Sequence, residues 1–417
     1  MKLPGEPLRT PLPRNASPLL TRDEPATRPA GNITEGIYQA SLEWMDKSAG
    51  RHAELTPLGE LLAPHLAAGG MVYLAGNPGF IDELETRAGL FPFSKPWTGQ
   101  ALTEHDVLLV GEFRSTDQAA QERTVRQLAR DRRTFAKGTV VHIGGHSWPG
   151  LRGLGELDRA WWGRRLVLID NQARAGGGWR ELCVGQLSTT VLAIMLHGEI
   201  ISAASRRGIT LASYGSDWEP GCVDWDAFVR LRHVHPRYDV PPIPAGELAR
   251  RYHAICRRYI ADFLAGEPGQ VRLAAQRLAR HVRDGGEVWT ICDGHVHGRG
   301  AYIPPDMPAV TMIGRSYRWS PTRMPEGVML LWMGYLRMPY PALDTLLKRG
   351  HSAVLFCVDP GPSNSRLVTI RSHWTDYDSV IDLPGYPIRV LPASGVVQTP
   401  QWYSIMAETH AAWRALP

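Results

Sequence analysis

The 417 residues carry 46 Lys and Arg against 41 Asp and Glu, with 43% hydrophobic and 21% charged side chains, which suits two domains better than one. The net charge of +5 is spread over mixed-sign stretches such as 121–133 and 246–258. No basic stripe with interleaved aromatics forms, so nucleic acid is excluded and a mild preference for anionic small molecules remains.

Taken in chain order, residues 1–34 are rich in Pro, Arg and Thr and lack an apolar segment. They read as a loosely structured arm, not as an intact signal peptide. Helical periodicity covers 35–68. Met71–Ala75 is a continuous apolar strand that runs into Gly76-Asn77-Pro78-Gly79, followed by a helix over Phe80–Arg87. Asp106–Val110 is a second strand, then come a polar turn at 111–116 and a helix through Arg132. Thr139–Ile143 and Arg165–Ile169 are further strands, and Gly185–Arg207 is a long helix with Ser188 or a neighbouring hydroxyl near its start. Strands without alternation, separated by helices, imply a parallel sheet buried on both faces.

The same order then returns at an offset of about 215 residues, too long for a solenoid repeat and suited to duplication of a whole domain. Gly285-Gly286 precedes Val288–Cys292 as Gly69-Gly70 precedes Met71. Val328–Met333 answers Asp106–Val110, Ala353–Val358 answers Thr139–Ile143, and Ser379–Leu383 answers Leu166–Asp170. The last helix, Gln401–Trp413, answers 185–207. The organisation expected is an arm (1–34), a first domain (35–207), a linker packed on the surface (208–246) and a second domain (247–417). The five cysteines, Cys183, Cys222, Cys256, Cys292 and Cys357, show no CxxC spacing, so structural zinc and a disulfide framework are not expected and a reducing, cytoplasmic setting is. Apolar runs such as Val191–Leu196 are far short of the roughly 18 residues of a membrane span.

At this point a family comes into view. Gly70–Gly89, with Glu83-Leu84 and Arg87-Ala88-Gly89, resembles the first strand, loop and helix of sugar isomerase (SIS) domains. Val184-Gly185-Gln186-Leu187-Ser188-Thr189-Thr190 looks like the last helix of the family's phosphosugar-binding branch, and Asp293-Gly294-His295-Val296-His297 resembles that branch's Gly-His-Ser-His loop. The resemblance covers about 70–207 and, more faintly, 270–415. It implies an α/β fold of two tandem, doubly wound αβα sandwiches with five-stranded parallel sheets. It also implies a sugar or sugar-phosphate ligand at the strand ends, dimerisation, and in some members aldose–ketose isomerisation. Departures are clear. The family's Ser-x-Ser-Gly-x-Thr cradle is replaced by Gly111-Glu112-Phe113-Arg114-Ser115-Thr116 in the first copy and by Gly334-Tyr335-Leu336-Arg337-Met338-Pro339 in the second.

Candidate residues follow. In an open parallel sheet the crevice lies beyond the carboxyl ends of the strands, which puts Asn77, Gly79, Arg114, Ser115 and Thr116 on one rim. Arg114 and the two hydroxyls suit an anion at a helix N-terminus, or Ser115 or Thr116 simply caps that helix. By resemblance Glu83 sits where some isomerases carry a base, while composition alone makes it one of several acidic residues in a first turn. His295 and His297 alternate along an extended segment and face one way, with Asp293 before and Arg299 after. They serve either as acid/base groups, as phosphate donors, or as half a site for a divalent transition metal; no cofactor is required, and two histidines alone fix no metal. His142, His146, His233 and His235 are weaker candidates, and Trp319 and Trp374 offer an aromatic wall. Three readings stay open: an isomerase-type enzyme, a non-catalytic sugar-phosphate sensor, and a metal-dependent sugar enzyme.

Overall fold

The computed structural model describes residues 33–85, 87–111, 137–145, 166–173, 178–216, 222, 224–226, 229, 237–292, 310–314, 320–334, 340–359, 364–374 and 377–416. Two five-stranded sheets carry the fold, and every strand in both is parallel to its neighbours. The first contains β1 (Val72–Gly76), β2 (Ser94–Pro96), β3 (Val107–Gly111), β4 (Thr139–Gly144) and β5 (Leu166–Asp170) in the order β2-β1-β3-β4-β5. The second contains β6 (Glu287–Cys292), β7 (Val310–Gly314), β8 (Val328–Met333), β9 (Ala353–Cys357) and β10 (Leu367–Arg371). Read from β7, its order β7-β6-β8-β9-β10 is the same 2-1-3-4-5. The doubly wound α/β class expected from the sequence is the class observed.

The helices repeat as well. Two helices, α1 (Ile33–Ser48) and α2 (His52–Ala67), precede the first sheet, and α5 (Glu247–Gly266) and α6 (Pro268–Arg283) precede the second. Both α2 and α6 have 16 residues and end in the same corner. The amides of Ala68, Gly69 and Gly70 donate to the carbonyls of Pro64, Leu66 and His65, and those of Asp284, Gly285 and Gly286 donate to Arg280, Val282 and His281. Gly69 at φ 92 and Gly285 at φ 84 occupy the left-handed region that closes a helix cheaply only with glycine. Shorter helices α3 (Pro78–Leu84) and α7 (Tyr340–Lys348) follow β1 and β8, and long helices α4 (Trp179–Ser205) and α8 (Ser394–Ala415) close each half.

By internal packing the chain forms two compact units, neither of them a continuous stretch. One comprises residues 40–258 and 376–396 and contains the first sheet; the other comprises the chain up to 39, 259–375 and the chain from 397, and contains the second sheet. In the first, α4 is the core. Residues Leu182 to Ser205 are all buried, and α2 packs on α4 so closely that a side chain at Gly59 would strike the Glu199 backbone. By length and composition α4 would pass as a membrane span, yet its apolar stretch is wholly buried within the fold, as in a core helix. Tyr73, Leu108, Val110 and Val140 build one core layer. In the other unit the corresponding layer holds Ile291, Leu330, Trp332, Leu355 and Leu346.

Four differences from the sequence reading have physical causes. The fifth strand of the second sheet is Leu367–Arg371, not Ser379–Leu383. Ser379–Ile381 (β11) instead pairs antiparallel with Val390–Pro392 (β12). The edge strands β2 and β7 escaped notice, β2 because it is three residues long and ends in proline. The last helix starts at Ser394 and runs through Pro400, although proline argued for a later start. Finally, Leu211, Ala212, Ser213, Tyr214 and Ser216 are buried, and Tyr214 makes a parallel bridge to Ala88, so this part of the expected surface linker is core.

Candidate functional site

A 2-1-3-4-5 sheet reverses its winding between its first and third strands, and the crevice opens there, beyond the carboxyl ends. In the first sheet that place is walled by two paired glycines, Gly76 and Gly111. Gly76 has φ 99, and a Cβ on it would strike the Gly111 carbonyl oxygen. A Cβ on Gly111 would enter the ring of Phe80. The Phe80 ring of α3 thus fills the space beside buried Gly111, and Gly76 is left half-buried at the end of β1. Asn77 continues the turn: its amide donates to the Gly111 carbonyl at 2.9 Å. The Asn77 side-chain oxygen accepts the Gly79 N–H at 2.8 Å as the cap of α3. Asn77 and Gly79 therefore form the turn between β1 and α3, satisfying each other.

Glu83, one turn further on, is buried. Its carboxylate accepts from the guanidinium of fully buried Arg87. That guanidinium also donates to Asp378 at 3.2 Å and to Ser394 Oγ at 2.6 Å, and the Ser394 amide donates to Asp378 at 3.2 Å. One cation thus lies between two carboxylates and joins α3, the entry to β11 and the first residue of α8. Next to it, burial pushes the Cys256 thiol up to about 12 and the Tyr252 hydroxyl well above its usual value. The sequence hinted at Arg87 only through the resemblance; Asp378 and Ser394, some 300 positions away, left no local signal.

The strand-five ends are built alike in the two halves. Asn171 N–H donates to Gly144 O at 3.0 Å and Ser372 N–H to Cys357 O at 2.9 Å. The next residues, Gln172 at φ 55 and His373 at φ 61, both take the left-handed conformation rare for side chains. The residue ahead of the second helix reaches this end in each half. Arg51 donates to the Asp170 carbonyl, while Glu267 accepts the Arg371 N–H at 3.1 Å and the His373 Nε2–H at 2.9 Å. At the second switch point Cys292 faces Met333, both buried. Cys357, at the end of β9, is pushed up to about 12 by burial, with Asp359 adding to the effect, which disfavours its thiolate.

Arg114, Ser115, Thr116, Asp293, His295, His297 and Arg299 lie outside the described residues, as do His146, His233, His235 and Trp319. Trp374 is buried and forms no exposed wall, and His142 is buried within β4. Among the described residues no group of three or more His, Cys, Asp and Glu could hold a metal.

No protein-family profile matches the chain, and no curated protein matches it. Solved structures do. A candidate phosphosugar isomerase from Silicibacter pomeroyi is 12% identical, with a TM-score of 0.50 over 93% of this chain and 99% of that one. The chain has a sugar isomerase fold. A candidate sugar binding protein from Salmonella typhimurium LT2 is 9% identical (TM-score 0.49, covering 92% and 99%). The C-terminal domain of glucosamine-fructose-6-phosphate aminotransferase from Francisella tularensis is 7% identical (TM-score 0.47, covering 89% and 96%). On this sugar isomerase fold both switch points and both strand-five ends are occupied by different residue types, and that asymmetry bears on chemistry.

Proposed function

We propose that the chain binds a sugar phosphate or related sugar at the carboxyl end of its first sheet and belongs, by chemistry, with aldose–ketose isomerases. The observation that carries this reading is the glycine-walled switch point at Gly76 and Gly111 on a sugar isomerase fold. Gly76, half-buried there and without a side chain, lets a ligand approach its main chain closely. In this proposal Arg114, Ser115 and Thr116 hold the anion, and Asn77 and Gly79 shape the turn at the first sheet. The second sheet carries candidate groups of its own, His295 and His297 for proton transfer with Asp293 and Arg299 to orient a ligand there. Glu83 serves to fix α3, because its carboxylate is already paired with Arg87. Isomerisation needs a base between adjacent carbons, so the expected result is exchange with deuterated solvent of the C2 hydrogen of an aldose phosphate or of a C1 hydrogen of a ketose phosphate. Loss of that exchange in His295→Ala would assign proton transfer to the second sheet, and its retention to a group on the first. No thermal shift with any of a panel of sugar phosphates and free sugars would sink the reading.

A second reading, a non-catalytic sugar-phosphate sensor, is favoured by the same pairing of Glu83, which removes one candidate base from play. Saturable binding without exchange at C2 would establish it. Duplication of one ancestral domain, supported by the shared strand order and the shared helix corner, a cytoplasmic location and a homodimer complete the proposal. Sedimentation of the full chain tests the dimer.

A further inference from the structure

The amino edge of the second sheet, opposite its crevice, gathers cations that the sequence scatters. Arg277 and Arg280 lie on α6 ahead of β6, and Arg323 lies ahead of β8. Lys348 and Arg349 stand at the end of α7 ahead of β9, and Arg366 directly precedes β10. Hydrogen bonds to main-chain carbonyls tie them together. Arg277 Nη1 donates to Ser365 O at 2.9 Å, and Arg366 Nη1 donates to Leu347 O at 3.4 Å. Arg349 donates to Pro321 O at 3.1 Å and to Met324 O at 3.3 Å. Each bond holds one cation against the chain beside the next, so they form one line from α6 past β10 and β9 to β8. Arg280, Arg323, Lys348, Arg349 and Arg366 are exposed, and Arg277 is half-buried.

Among the described residues none of these cations has a carboxylate partner, whereas arginines elsewhere do. Arg51 pairs with Glu54, Arg206 and Arg207 pair with Glu60, Arg257 pairs with Asp46, and in the same unit Arg272 pairs with Glu35. The exposed carboxylates of Asp284, Glu287 and Glu326 share the edge and leave it a surplus of positive charge. Like charges in one line repel each other, and a bound polyanion relieves that repulsion. The duplicated topology does not demand the arrangement. At the same edge of the first sheet Asp106 accepts the N–H groups of Met71 at 2.8 Å and Thr103 at 2.7 Å, and Glu104 lies 3.6 Å from the His105 ring.

We propose that this edge docks an extended acidic segment of a partner protein, whose carboxylates meet Arg277, Arg323, Lys348, Arg349 and Arg366. The shape follows from the sheet. Arg366, the Lys348–Arg349 pair and Arg323 stand ahead of three adjacent strands, which lie about 4.8 Å apart, and side chains on one side of an extended chain recur about every 6.7 Å. A line of cations thus faces a line of carboxylates of similar pitch. Guanidinium groups already held by carbonyls lose little freedom on binding, and their remaining N–H groups suit carboxylates. Among the described residues this unit exposes one large apolar side chain, Leu273, too little to enter a bilayer. It exposes no aromatic ring on which bases would stack. The surface lies away from the crevice and does not rest on the proposed function.

The test uses the full chain and a fluorescein-labelled octaglutamate peptide, read by anisotropy. Binding is saturable and weakens as salt rises from about 50 to about 300 mM, because screening shortens the reach of exposed charges. Lys348→Glu with Arg366→Glu raises Kd about tenfold, and the single exposed change Arg323→Gln raises it about threefold, with the Tm little altered in either. Lys47→Glu with Arg237→Glu makes the same change in net charge at exposed cations of the other unit and keeps Kd within about twofold. Equal losses in the two double variants would reduce the binding to overall charge and overturn the site, as would no saturable binding at the lower salt. Tighter binding to phosphatidylcholine vesicles containing about one third phosphatidylserine, or to a single-stranded oligonucleotide, lost in Lys348→Glu with Arg366→Glu, would overturn it in favour of a membrane or a nucleic acid.

Discussion

The two sheets share a strand order, a helix corner and a left-handed residue after strand five, yet their rims differ where a ligand would touch them. The first switch point is two glycines, Gly76 and Gly111; the second is Cys292 and Met333 at the same register. The first strand-five end bonds Asn171 to Thr189, whereas at the second the Ser372 hydroxyl has no hydrogen-bond partner among the described residues. The backbone positions are set by topology and are common to both. The side chains on them were free to diverge, and they have done so: the first switch point has no side chains, and the second has two buried ones.

The largest effect should come from the clasp under the first rim. Arg87→Met leaves the carboxylates of Glu83 and Asp378 buried without their cation. Loss of one partner of a buried ion network costs about 3–5 kcal/mol, read as a drop in the urea midpoint. Replacing the network by apolar side chains throughout (Glu83→Leu, Arg87→Met, Asp378→Leu) should recover much of that loss. If Arg87→Met alone were neutral, α3 would not depend on this clasp and Glu83 would return as a candidate base.

Exchanging the switch-point residues comes next. Met333 is fully buried, so Met333→Gly should cost about 2–5 kcal/mol from the cavity it leaves. Gly111→Met forces a side chain into Phe80 and should cost about 1–3 kcal/mol by overpacking. The first-sheet variant should also lose any sugar-phosphate response, whereas Met333→Gly should keep it, and thermal shift on both proteins checks the contrast.

How far the sequence reached follows the same division. Unalternating apolar strands such as Val107–Gly111 and the Gly-Gly corners made the parallel sheets and their recurrence readable, because buried strands and left-handed corners constrain residue type locally. The fifth strand of the second sheet was misplaced because Ser379–Ile381 is equally apolar, and only its antiparallel partner at 390–392 tells it apart. Asn77 was legible as a rim residue from its Asn-Pro-Gly turn. The pairing of Glu83 with Arg87 is an i,i+4 contact on one helix and its continuation, but its closure by Asp378 and Ser394 depends on residues distant in the chain. The line of cations at Arg366, Lys348, Arg349 and Arg323 leaves no trace in a sequence, since only the sheet brings these separate turns together.

His197 sets a pH test that only the first half should feel. It is buried, its Nδ1–H donates to Ala193 O at 2.8 Å, and its Nε2 has no hydrogen-bond partner among the described residues. Burial lowers it from 6.5 to about 4, so the unfolded chain takes up its proton first. Stability is therefore full above about pH 6.5, falls as pH drops towards 4 and levels off below, by about 3 kcal/mol in all. The residue at the same count from the start of α8 is Ala412. His197→Gln should flatten this part of the profile in urea titrations between pH 7 and 4; an unchanged slope would assign the acid sensitivity elsewhere.

The smallest effect is the most direct exchange of one half for the other. Asn171→Ser writes the second half's residue into the first and deletes the bond to Thr189, at a cost of about 1–2 kcal/mol. Ser372→Asn does the reverse. If Ser372 and Ser404 face one another as Asn171 and Thr189 do, the added amide spans the gap, bonds the Ser404 hydroxyl and raises stability by about 1 kcal/mol. A protein made less stable by Ser372→Asn would mean that the two strand-five ends differ in shape and not only in residue type, and the correspondence between the halves would stop at the backbone.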